Sequence, residues 1–141
     1  MTASKFIEFV NYNNLTKYWV LICFHIIGDF ILQTDFLAKA KTYKFWKDLQ
    51  DKTYKNKDHD IMIPKIDWVM PMLAHCFLWS CCVHFPIIIS SDSNPFVIAV
   101  SIWIHMLIHF LIDFGKCNMR CYGLFADQVF HILQLLLILS I

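Results

Sequence analysis

The chain has 141 residues, 58% of them hydrophobic and 16% aromatic. Only 16% are charged, where an average soluble domain has about 25%. A net charge of +1 lacks the basic excess of a nucleic-acid binder, and three glycines are too few for a collagenous or disordered chain. These values point to a single integral membrane domain over residues 1–141 with no nucleic-acid partner.

Residues 1–17 form a lead-in whose Phe6, Phe9 and Val10 suit a membrane interface. Four apolar runs follow, each long enough to cross about 30 Å of hydrocarbon at 1.5 Å per residue. Helices are expected over residues 18–37, 68–89, 95–114 and 122–141. Tyr18, Trp68 and Tyr122 stand at run ends, where aromatic rings favour the headgroup layer. The runs show no dyad alternation, which excludes a barrel. The fold class expected is all-α, a four-helix transmembrane bundle. Ala38-Lys39-Ala40 has the spacing of a signal-peptidase site, but no basic segment leads directly into a short apolar core, and that core would contain His25 and Asp29.

Between the first two runs lies a lysine-rich loop, residues 38–67. Tyr43, Trp46 and Leu49 form a stripe there at a spacing near three. It fits either an amphipathic helix on an anionic leaflet or a solvated linker, and residues 51–60 read as polar chain. Ten of the twelve basic residues lie on the side reached at the end of the first run: Lys39, Lys41, Lys44, Lys47, Lys52, Lys55, Lys57, Lys65, Lys116 and Arg120. Lys5 and Lys17 lie on the other. The positive-inside rule makes the ten-residue side cytoplasmic and puts both termini outside, as in a bacterial-type inner membrane. Cys23, Cys76, Cys81 and Cys82 lie in apolar runs, and Cys117 and Cys121 in the hairpin before the last run. One CxxxC without a second pair is weak evidence for zinc, and this is no disulfide framework.

Seven ionisable residues interrupt the apolar runs: His25, Asp29, His75, His109, Asp113, Asp127 and His131. Titratable groups are costly in hydrocarbon and mark functional sites there. His25/Asp29, His109/Asp113 and Asp127/His131 are each four apart, about 400° of helical rotation, so each pair shares a face. Measured from the cytoplasmic run ends, all seven fall about 3–15 Å deep, in one band. Imidazole beside carboxylate is the ligand set of Zn, Mn or Fe(II) more than of Mg or Ca. Seven ligands suit two ions, or one ion with hydrogen-bonded partners.

His84 falls outside the band and reads as an interfacial histidine; His105 shares a face with His109 but stays outside the set. Gly28 permits close helix approach, Gln33 continues the polar face, and Gln128 and Gln134 suit bonds between helices. A structural polar network is the competing reading. Against it, three core aspartates need positive partners, and the sequence places no lysine or arginine at their depth. Lys39 and Lys116, near the cytoplasmic mouth, are candidates to bind an anionic headgroup. His25-Ile-Ile-Gly-Asp29-Phe30 matches His109-Phe-Leu-Ile-Asp113-Phe114 at three of six positions, the mark of a parallel two-helix repeat.

The segment His25-Ile-Ile-Gly-Asp29-Phe30-Ile-Leu-Gln33-Thr-Asp35-Phe-Leu-Ala38-Lys39 resembles the opening signature of domain of unknown function 3307. That is a group of small membrane proteins of bacteria and their phages. His75, His109-x-x-x-Asp113-x-x-Lys116 and Asp127-Gln128-x-x-His131 extend the resemblance over nearly all the chain after residue 20, apart from a long lysine-rich insert before the second run. The resemblance implies an architecture and a site, and no reaction.

Four functions compete. The first expected is a metal-dependent hydrolase or transferase acting on a membrane lipid or lipid-linked phosphate at the cytoplasmic leaflet. One of the aspartates would then be a candidate general base. The second is a divalent-metal transporter or proton relay, against which the outer half of the runs looks nearly bare of polar groups. A haem protein with two histidine ligands would leave three carboxylates unexplained. A non-enzymatic membrane interaction protein would leave the whole cluster so. Homo-oligomerisation is left open.

Overall fold

The computed structural model describes residues 14–54, 66–90 and 94–139, and among them the chain is all-helical, without a strand. Helix α1 (Asn14–Ile26) continues into a π turn (Ile27–Ile31). After it come α2 (Asp35–Ala40), α3 (Tyr43–Tyr54), α4 (Val69–Ser90), α5 (Pro95–Cys117) and α6 (Leu124–Ile138). Helices α4 and α5 are long and apolar enough to cross a membrane. Helix α6 is apolar but has 15 residues, about 22 Å of helix.

The first apolar run is not the unbroken helix expected over 18–37. It begins at Asn14 and ends in the π turn, where Leu32 N–H donates to Ile27 O five residues back at 2.9 Å. Gln33 and Thr34 then leave the helix, because Thr34 Oγ1 accepts from Leu37 N–H (3.2 Å) and starts α2 as its N-cap. The last run also starts later than expected. Tyr122 stands before α6, its hydroxyl donating to Ile112 O of α5, and Gly123 takes the N-cap place. Helix α5 runs past the expected 114 to Cys117, where Asn118 caps it. Within the lysine-rich loop, Tyr43–Tyr54 forms a helix, with Phe45 against Phe36 and Trp46 Nε1 donating to Ala40 O. Residues 55–65 of that loop, the 1–13 lead-in and residues 140–141 of the last run lie outside the described residues.

Helix α4 packs most extensively on α5, α5 on α6, α6 on α1, and α1 with its π turn on α4, closing a ring of four helices. Helix α2 lies against α4. One apolar cluster, Leu21, Trp79, Val83, Leu135 and Ile138, fills one end of this ring; a second is Met72, Cys76 and Met106. Apart from Ala40 and Ile98, the other buried side chains are polar. Among the described residues, thirteen polar or charged side chains are buried against ten apolar ones, while Phe30, Trp103, Leu111 and Phe125 face outward.

Candidate metal centre

His25, Asp29, His75, His109, Asp113, Asp127 and His131 are all buried, none more than 5% exposed. Four elements deliver them to the ring interior: α1 with its π turn, α4, α5 and α6. Two overlapping groups converge closely enough to hold a metal ion, Asp29/His75/His109 and His109/Asp113/His131. His75 Nε2 stands 3.3 Å from Asp29 Oδ1, 3.3 Å from Asp113 Oδ2 and 3.3 Å from His109 Nε2. His131 Nε2 stands 3.3 Å from Asp113 Oδ1 and 3.5 Å from Asp127 Oδ1.

These separations are informative because the same cluster contains true ion pairs for comparison. Lys41 Nζ lies 2.5 Å from Asp113 Oδ2 and Lys116 Nζ 2.6 Å from Asp127 Oδ2, the short distances of charge-assisted bonds. The histidine contacts are longer by most of an ångström. His75 Nε2 carries at most one proton, so it cannot donate to three neighbours at once. Nitrogen and oxygen ligands about 2.0–2.1 Å from a zinc-like ion sit about 3.3–3.4 Å apart in a tetrahedron. The donor set suits a divalent ion in chemistry, and the atoms of each group lie within 4.8 Å of one another, close enough to hold one. Asp113 turns Oδ2 to His75 and Oδ1 to His131.

His25 does not join either group. Trp79 Nε1–H donates to His25 Nδ1 at 2.8 Å, which leaves the imidazole proton on Nε2. That nitrogen donates to Gln128 Oε1 at 3.1 Å. Gln128 Nε2 in turn donates to Asp29 Oδ2 (3.0 Å) and Asp127 Oδ2 (3.1 Å). An indole can only donate, so the direction of the whole chain is fixed. With both nitrogens committed, His25 acts on the carboxylates through Gln128. Trp79 also stacks on His109 (centroids 4.1 Å), and His109 on His131 (4.2 Å), which fixes both rings.

Two lysines meet the core aspartates, contrary to the expectation that none reaches their depth. Lys116 does so from the last turn of α5, with a side chain 25% exposed. The other is Lys41, 4% exposed. Lys39, expected at the mouth, has an exposed side chain. Lys41 follows α2 directly; Asn118 Nδ2 donates to its carbonyl, and Asn118 Oδ1 accepts from Tyr43 N–H. Gln33, its amide oriented by its neighbours, donates to Asp29 O at 3.0 Å and accepts from Lys41 Nζ at 2.7 Å. In the sequence Lys41 is one more member of a lysine-rich loop, and nothing in its spacing sets it apart.

A second polar cluster occupies the interior beyond Trp79, where bare helix was expected. His84 is 1% exposed rather than interfacial. It contacts Ser80 O and Ser101 Oγ, each at 2.8 Å, and Ser101 Oγ reaches His105 Nδ1 at 3.0 Å. Gln134 donates to His105 O at 2.7 Å, the interhelical bond expected of it. All six cysteines are free.

No protein-family model matches the chain, and no match to it is found among curated proteins or among solved structures.

Proposed function

We propose that the protein is an integral membrane metal-binding protein, a four-helix transmembrane bundle of the family of domain of unknown function 3307. In this reading it is a hydrolase or transferase acting on a lipid or lipid-linked phosphate at the cytoplasmic leaflet. The observation that carries the reading is the set of equal 3.3 Å separations around His75 Nε2, in a cluster whose lysine pairs close to 2.5–2.6 Å. Asp29, His75 and His109, or the overlapping His109, Asp113 and His131, would hold an ion, with Asp127 beside His131. Zn, Mn or Fe suits these ligands better than Mg. A divalent ion there supplies Lewis acidity toward a phosphoryl or acyl oxygen. The chain's own residues position that chemistry: Gln128 aligns Asp29 with Asp127, and the Trp79–His109–His131 stack holds two imidazoles. The inverted interior, polar within and apolar without, supports a lipid surround.

Elemental analysis of detergent-purified protein tests the proposal. One or two equivalents of Zn, Mn or Fe are expected, and His75→Ala and His109→Ala should each lose most of the metal while keeping native helicity. Absence of metal after reconstitution with all three ions would overturn the reading.

The Ser80–His84–Ser101–His105 cluster favours a second reading, a metal transporter or proton relay, since it carries polar groups beyond the acidic site. Metal or proton flux into proteoliposomes, lost in His84→Ala, would establish that reading over the first.

A further inference from the structure

The charges of the centre ask for an anion once a divalent ion is bound. With neutral imidazoles, Asp29, Asp113 and Asp127 against Lys41 and Lys116 leave one net negative charge. One divalent ion turns this into one net positive charge, in an interior where an uncompensated charge is costly. An anionic ligand offsets that charge; a neutral ligand does not.

Lys41 supplies the place for it. Its ammonium has three N–H donors. Among the described residues its acceptors are Asp113 Oδ2 and Gln33 Oε1, which use two. The third belongs to a buried cation 2.5 Å from a carboxylate oxygen that also faces His75. A cation needed only to neutralise Asp113 could sit at the rim, as Lys116 does. Lys41 is instead drawn inside and anchored through Gln33, with its backbone held by Asn118.

We propose that Lys41 and the adjacent ion form an oxyanion site for a phosphate group, either inorganic phosphate or the phosphomonoester headgroup of a lipid. This rests on the metal-centre reading above and assigns the ligand of that centre. Lys41 then touches the ligand itself.

The test uses the full-length protein in detergent, first metal-free and then loaded with Zn, with inorganic phosphate as the probe in calorimetry. Loaded wild type should bind phosphate and metal-free protein should not. Lys41→Met should keep its metal, at equal or tighter affinity, and bind phosphate about ten- to a hundredfold more weakly, the loss of one charge-assisted bond. Lys41→Arg should keep most of the phosphate affinity. Lys41→Gln, which retains a donor toward Asp113, serves as a second neutral variant should the methionine protein not fold. Competition by phosphatidic acid in nanodiscs would assign the site to a lipid headgroup, and its failure to compete to soluble phosphate. Phosphate bound equally by wild type and the neutral variants overturns the proposal, as does loaded wild type that binds no phosphate. A wild type that takes up no Zn fails at the first step, and that failure belongs to the metal centre.

Discussion

His25 and Gln128 illustrate how little of this centre is made by its ligands alone. The carboxylates of Asp29 and Asp127 come from different helices, and a single amide donates to both. Hydrogen-bonded partners of this kind commonly account for ten- to a hundredfold in metal affinity, about the effect of removing a weak ligand. Gln128→Leu is therefore expected to weaken metal binding about tenfold or more without abolishing it. His25→Ala should act in the same direction, because it frees Gln128 to rotate. Competition with a chromophoric chelator would measure both. An equal and complete loss of metal in His25→Ala and His109→Ala would instead place His25 among the ligands.

At the scale of elements, His25 and Asp29 keep a shared face across the π turn, since both bond Gln128; beyond that amide, His25 takes Trp79 and Asp29 takes His75. The turn packs directly against α4. A Cβ on Gly28 would meet Trp79 Cδ1 at 3.2 Å, Trp79 Cα at 3.3 Å and Cys82 Cβ at 3.4 Å. A backbone atom cannot yield as a side-chain tip can, so Gly28→Ala should cost about 1–3 kcal/mol by overpacking. Gly123→Ser is the control, with no atom within 4 Å of the new Cβ and an N-cap residue of good preference. Thermal unfolding in detergent should show a lowered Tm for the first variant and no change for the second. The parallel repeat read from the sequence does not extend to roles: His109 faces His75 in the cluster, whereas His25 faces an amide.

For the whole molecule, the inverted distribution of polarity has a direct test. Cys23 and Cys121 are both exposed, but Cys23 lies in the middle of an apolar helix and Cys121 in the α5–α6 hairpin. Within a bilayer a water-soluble maleimide should label Cys121 and leave Cys23 unmodified. In sealed vesicles of the native orientation, labelling of Cys121 should require permeabilisation if that hairpin is cytoplasmic, as the positive-inside rule expects from the basic residues. Equal labelling of both cysteines in permeabilised membranes would argue against the lipid surround.

Composition and run length alone determined that the chain is helical, and the apolar runs singled out seven ionisable residues within them, six of them paired at helical spacing, because each is a local property of a few neighbours along one helix. All seven do lie in the interior. Tertiary structure decided their division of labour. The break at Gln33-Thr34 and the π turn depend on competing hydrogen bonds that hydropathy does not register. Lys41 looks like any loop lysine until α2 folds back against α4 and presents it to Asp113, 72 residues away in the chain. His84 looks interfacial until Ser101 arrives from α5 to partner it. Which polar groups pair, and which remain for a ligand, is settled only when four helices meet, since each partner comes from a different one.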